Sequence, residues 1–383
     1  MNILRRLPLS RLLLLCGVIV AVGIGATALA LAVSSGPTPP PKPLPEALHD
    51  ALSSASSQQL QGVSARIQYT NHLLEGANLA SGSGQAGELT SNPLLSGASG
   101  RLWIGSEGHA RLELQSEKGD TQILYDGHNL SVYDAATNTL YRYTPPQHPD
   151  STETTPGQSA GSGDSNSLGR ATDRKIPTVA EIEEGIAHAE KHAVVSSATP
   201  TDVAGQAAYT VRISPRENGG LIGGAELSWD ASNGVPLRTA IYSSTSSSPV
   251  IELAATEISY GPVESSVLNF TPPANAKVEE VTLPSKHNPA SSNSSAGGSH
   301  PHVTTHGKGL ESIAVLESPL KSDEKESTES KLEGLQKVEI NGVSASELPT
   351  QLGTLLSFER SGVRYVLAGA VTPAAIEEFA RGL

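Results

Sequence analysis

The side chains whose spacing best suits chemistry are histidines. His300, Pro301 and His302 stand together, His306 follows closely, and His287 precedes them. Imidazoles at such spacing can ligate a divalent metal. The surrounding stretch, Lys286 to Lys308, is rich in Ser, Gly and Asn and holds no cysteine or carboxylate. It therefore offers neither a full ligand set nor the outer partners that orient ligands. A solvated linker is the plainer reading, and no metal or other cofactor is expected. Asp126 and Asp134 could be imagined as paired carboxylates. Each sits beside turn residues, where an aspartate serves the backbone by accepting hydrogen bonds. Gly219 to Gly224 is glycine-rich but lacks the strand-to-helix setting of a phosphate loop, so it reads as a hairpin turn. Cys16 is the sole cysteine, which excludes an intramolecular disulfide. The Leu13-Leu14-Leu15 run before it lacks the small residue that a lipid-modified cysteine wants, so Cys16 reads as one more apolar residue. There is no Walker loop and no H-E-x-x-H pair, and no catalytic residues are expected.

The elements around these residues are clearer. From Arg101 to Tyr143 apolar and polar residues alternate, the period of a strand with one buried face. Ala110, Leu112 and Leu114 fall on one face, and Arg111, Glu113 and Gln115 on the other. Glu107-Gly108, Lys118-Gly119-Asp120 and Asp134 to Asn138 punctuate the runs, and Asp126-Gly127 favours a tight type I′ hairpin. A meander of about five antiparallel strands follows. Before it, Glu46 to Gln61 has helical spacing and Val63 to Thr70 alternates as a strand. After it, Thr178-Val179-Ala180-Glu181 is a capping box opening a helix that ends near Ala193. A second strand series then runs from Val194 to Ser259, with a short edge expected at Val278 to Val281.

Composition bounds the whole. The chain has 383 residues, enough for about two domains. It is 37% hydrophobic but only 4% aromatic, so its core is aliphatic. A net charge of −13 argues against a nucleic-acid partner. Arg5, Arg6 and Arg11 precede an uncharged run over 12–33, long enough to cross a bilayer. The basic flank puts residues 1–11 in the cytoplasm and the rest outside, as a single-pass membrane protein. A cleaved signal sequence, with Ala28-Leu29-Ala30 and Ala30-Leu31-Ala32 both A-x-A-like, is the rival and would make the protein secreted. Residues 34–45 are Pro-rich and read as an extended spacer lifting the next domain off the membrane. Residues 145–178 and 284–309 have too little apolar content to offset ordering entropy and read as a disordered insertion and a disordered linker. Residues 310–383 read as a small strand-hairpin-helix domain. Thr372-Pro373 opens its last helix, and Val371 and Ile376 are placed for a hydrophobic staple.

Gly100-Arg101-Leu102-Trp103, the Asp126-Gly127 to Tyr141 run and Asn269-Phe270-Thr271-Pro272-Pro273 resemble the LolA-like superfamily. That group holds periplasmic lipoprotein carriers, lipoprotein receptors, sensor subunits that regulate sigma factors, and membrane-anchored actinobacterial lipid-transfer lipoproteins. The resemblance covers 46–283. It implies a mainly β fold with helices (α+β): a curved antiparallel half-barrel capped by helices. It also implies a binding role in the cell envelope, for lipid, an acyl chain or a lipoprotein. The other implied role is a protein-interaction or sensor module with an envelope protein partner. A retained anchor departs from the free carriers of the superfamily. The residues expected to line an apolar cavity are Leu102, Ile104, Leu112, Leu114 and Val132, with the helices over 46–61 and 179–193 as a lid.

Overall fold

The computed structural model describes residues 36–57, 60–77, 93–106, 108–117, 119–144, 176–217, 220–281, 302–320 and 335–383. The run 12–33 and most of the insertion 145–178 lie outside them. No helix among the described residues is long and apolar enough to cross a membrane.

Helix α1 (Leu44–Ser57) leads into β1 (Gly62–Asn71). A one-turn helix α2 (Pro93–Ser96) precedes the expected meander of β2 (Ala98–Gly105), β3 (Ala110–Ser116), β4 (Gly119–Tyr125), β5 (Leu130–Asp134) and β6 (Thr139–Tyr143). Helix α3 (Val179–Ala189) opens the second series. That series is β7 (Ala193–Val195), β8 (Thr199–Val203), β9 (Gln206–Pro215), β10 (Ile222–Asp230), β11 (Pro236–Ser243) and β12 (Pro249–Tyr260). A short helix α4 (Ser265–Leu268) and β13 (Lys277–Val281) complete this part. Across the sheet the order is β13-β6-β5-β4-β3-β2-β1-β12-β11-β10-β9-β7, with β8 on β9. Strand β1 joins the two meanders, antiparallel to β2 on one side and to β12 on the other. The sheet stays open and its inner face carries α1, α2 and α3, an α+β half-barrel.

The path from β12 to β13 explains the Asn269–Pro273 motif. The chain crosses the outer face of the first meander and adds β13 parallel to β6. Arg111 holds this strap, donating from Nη1 to the carbonyls of Val267 (2.8 Å) and Asn269 (3.3 Å). Its guanidinium lies over the rings of Trp103 and Phe270. Phe270 in turn packs on Tyr133, with ring centroids 5.2 Å apart.

The second sheet is smaller: β14 (His302–His306), β15 (Ile313–Pro319), β16 (Gln336–Ile340), β17 (Val343–Pro349), β18 (Thr354–Arg360) and β19 (Val363–Gly369). Its order is β14-β15-β19-β18-β17-β16. Helix α5 (Pro373–Arg381) buries Ile376 and Ala380 against Val315, Leu356, Phe358 and Leu367. Val371 joins the same core, as a staple requires.

Several local readings need correction. The 126–129 connection is a four-residue loop, since Tyr125 pairs with Leu130. Asp126 Oδ1 accepts from the amides of His128 (2.9 Å) and Asn129 (2.6 Å), which favours the wider loop over a two-residue turn. The helices end earlier than their apolar spacing implies, at Ser57 and Ala189. Residues 302–306, inside the expected linker 284–309, form edge strand β14 against β15. The β-branched run Val303-Thr304-Thr305 suits a half-solvated edge. The Pro-rich stretch also behaves differently from a free spacer. Over residues 36–43 it packs on the sheet: Pro39 is buried and Tyr209 Oη donates to the Pro40 carbonyl at 2.6 Å.

Candidate functional site

The inner face is built by strand register. Leu102 pairs with Leu112, Leu112 with Ile123, and Ile123 with Val132, so one apolar row crosses four strands. Leu114 stands opposite Gly100 and Ile104 opposite Ala110, in the flanking rows of the same face. The five residues named from the sequence therefore share one surface. They are not equally covered. Leu114 and Val132 are 1% and 5% exposed and belong to a closed core with Ile67, Tyr69, Leu94 and Ile123. Leu102, Ile104 and Leu112 are half-buried.

What covers them is not the expected lid. Helix α2 sits on this half, with Pro93, Leu94 and Leu95 buried. It is pinned through the Leu94 carbonyl, which accepts from Tyr69 Oη (2.9 Å) and Asn71 Nδ2 (2.7 Å). Burial pushes the Tyr69 phenol up to about 12, so it remains a donor at any physiological pH. Helices α1 and α3 lie instead on the second meander. Leu44, Ala47, Leu48 and Ala51 of α1, and Ile186 of α3, pack with Tyr209, Val211 and Trp229. The docked Pro39-Pro40 stretch explains the displacement, because it delivers α1 directly onto Tyr209.

Between the two covers runs an apolar strip. The row Tyr69–Leu253–Thr239–Leu227–Val211 links the first core to the helix-covered one. Beside it Ile251 pairs with Ile241. Leu253, Ile251, Ile241 and Leu227 are all half-buried. One end of the inner face is closed by polar contacts. Tyr260 Oη donates to Asp230 Oδ2 at 2.6 Å across the curl of the sheet. Burial, reinforced by the Asp230 carboxylate, raises the Tyr260 phenol far above its ordinary value.

A charged cluster that sequence reading missed occupies the opposite face of β9–β12. Arg238 donates to Glu252 Oε1 and to Glu226 Oε2, both at 2.5 Å, and to Tyr242 Oη at 2.9 Å. Arg212 reaches Glu226 at 2.9 Å and stacks over Tyr242. Glu252 is fully buried and its Oε2 has no hydrogen-bond partner. Burial raises the Glu252 carboxyl despite Arg238. Burial also acts against ionised Glu226, but hydrogen bonds from Tyr242, Arg238 and Arg212 outweigh it and hold its carboxyl low. The signal was present as Arg212, Glu226, Arg238 and Glu252, one per strand on one face; only the register shows that they meet.

The chemistry-bearing residues of the sequence do not converge. His306 sits on β14 with its ring 5.1 Å from Phe379, while His287 and His300 lie outside the described residues. No cluster of three metal-ligating side chains occurs among the described residues. Asp134 caps its turn, accepting from the Ala136 amide and from Thr137 Oγ1. Gly220 begins the approach to β10, and the next amide, Leu221, donates to the Ala370 carbonyl of the small domain at 2.8 Å. What the arrangement offers is therefore apolar contact along a long face.

No family model and no curated protein matches this chain. Solved structures similar in fold include MucB in complex with the periplasmic part of MucA. That structure has a TM-score of 0.42 at 13% identity, over 88% of this chain and 97% of that one. The Pseudomonas aeruginosa MucA/MucB complex has a TM-score of 0.43 at 14% identity, over 88% and 96%. A LolA superfamily protein from Nitrosomonas europaea has a TM-score of 0.17 at 10% identity, over 85% and 90%. At these identities the likeness concerns fold alone.

Proposed function

We propose that this chain is a membrane-anchored, extracytoplasmic binding protein, not an enzyme, whose large domain takes an acyl chain of a lipid or lipoprotein on its inner face. The observation that carries this reading is the half-buried apolar strip between the two helical covers, continuous with Leu102, Ile104 and Leu112. An acyl chain laid there gains about 0.8 kcal/mol for each buried CH₂. A dozen methylenes contribute roughly 10 kcal/mol before the costs of association are subtracted. The test is direct. Protein lacking residues 1–35 should yield lipid to organic extraction, detected by mass spectrometry, and should bind a fluorescent fatty acid saturably. Leu112→Trp should weaken that binding while leaving the thermal midpoint nearly unchanged, because Leu112 is only half-buried. A filled core would instead lose about 1–3 kcal/mol of stability to overpacking, with no binding to lose. That outcome favours a second reading, a protein-interaction or sensor module of an envelope-stress pathway. The feature supporting it is β14, an edge strand of the small sheet among the described residues with Val303 exposed, a place where a partner strand could add. The MucB structures named above include complexes with MucA, a partnership of those proteins.

A further inference from the structure

The Pro-rich segment sets how the large domain stands relative to a membrane. As a free polyproline spacer, residues 34–45 would lift the domain by roughly 35 Å at about 3.1 Å per residue. The structure removes that slack. Gly36 lies so close to Asp202 that a Cβ on it would fall 1.7 Å from the carboxylate Oδ2. Pro39 is buried, the Pro40 carbonyl accepts from Tyr209, and Lys42 Nζ pairs with Asp50 at 2.5 Å. Between the apolar run ending at Val33 and docked Gly36 stand only Ser34 and Ser35. That tether reaches about 10 Å at full extension, about the depth of a headgroup layer.

The docking point is at one end of the strands. Asp202 pairs with Ala207 beside the β8–β9 turn. The β10–β11 turn is at the same end, since Asp230 pairs with Ala208 and the Ala231 amide donates to the Ala207 carbonyl. The small domain joins at the opposite end. There the Leu221 amide donates to Ala370, and the Gln351 amide and side chain donate to the carbonyls of Leu73 (3.0 Å) and Glu75 (2.8 Å). Strand β10, running between the two ends, is about 27 Å long. The turns at the docked end carry Asp202, Gly205, Ser232 and Gly234. Of the exposed large apolar side chains of the described residues, Ile213 and Val303 lie elsewhere, and Leu52 follows Ala51, whose backbone abuts Gly234 of the β10–β11 turn. With polar turns and one exposed leucine, such an end would rest on headgroups.

We infer that the β8–β9 and β10–β11 turns face the headgroup layer of the bilayer that holds the chain's own anchor, and that the small domain is held at the distal end. This rests on the anchored reading of residues 12–33. The experiment uses the full chain with Cys16→Ser, reconstituted in phosphatidylcholine vesicles containing a headgroup-nitroxide lipid. A fluorophore is placed on a single cysteine introduced by Ser232→Cys, at the docked end, or by Glu75→Cys, at the small-domain end. Quenching should be several-fold stronger at position 232 than at position 75. Equal quenching in protein that resists alkaline carbonate extraction would overturn the orientation and leave the anchor standing. Release of the protein by carbonate would overturn the anchor, and the orientation with it.

Discussion

Glu347 lies on β17 with 1% of its surface exposed, and its Oε1 has no hydrogen-bond partner. Burial first, and then the Glu377 carboxylate on α5, raise its carboxyl above the ordinary value. The folded state therefore keeps a proton that the unfolded chain has already released just above the ordinary glutamate range. The stability this contributes is fully present below that range and is lost as pH rises through the raised folded value. Glu252 shifts in the same direction, again with burial as the first cause. Glu347→Gln removes the charge that must otherwise be buried. At pH 8 it should stabilise the fold by about 1 kcal/mol, and near pH 4 it should change little. Thermal unfolding of both proteins at the two pH values measures this; an equal effect at both would mean that the carboxyl titrates as an ordinary exposed one.

At the scale of elements, α3 is weakly secured by burial. It has no fully buried residue, and Ile186 is its one side chain packed on the neighbouring core. Its start depends on the capping box, in which the Glu181 amide donates to Thr178 Oγ1 and the Thr178 amide donates to the Glu181 carboxylate at 2.7 Å. Thr178→Ala should cost the helix about 1 kcal/mol. Most of that should appear as faster amide hydrogen exchange over 179–189, with little change in global unfolding. Uniform exchange would show that packing and not the cap holds it. The capping box was legible because its four residues are contiguous, and so was the first meander, where alternation and turn residues agree. Strand β17 was not, since Ser346 and Glu347 interrupt its apolar pattern and are nonetheless buried. The apolar face over Leu102 to Val132 was legible as a period of two. Its covers were not, because which strands a helix lands on follows from the long-range contact between Pro40 and Tyr209, and Leu253 and Ile241 join the strip only through register. The charged cluster stayed hidden for the same reason.

At the scale of the molecule, two loop contacts among the described residues join the domains, and one of them depends on a glycine. Gly220 has φ +62°, a left-handed conformation that side chains resist, and a Cβ there would fall 1.9 Å from the Ala370 carbonyl oxygen. The carbonyl belongs to the backbone, so it can yield only if the small domain moves. The adjoining bonds, from the Leu221 amide to Ala370 and from the Ser244 amide to the Leu221 carbonyl at 2.9 Å, would open with it. The remaining contact, Gln351 with Leu73 and Glu75, is a hinge by itself and cannot fix an angle between two bodies. Gly220→Val should thus raise the radius of gyration in solution scattering and split thermal unfolding into two transitions, while far-UV circular dichroism stays that of the parent. Gly205→Val is the control: its φ is +74°, yet nothing lies within 4 Å of the added Cβ. It should cost about 1–2 kcal/mol of local strain at the β8–β9 turn and leave the scattering profile unchanged. If Gly220→Val also scatters like the parent, the interface is wider than these two loops. If it loses the dichroism of the large sheet, Gly220 serves the start of β10 and not the joint.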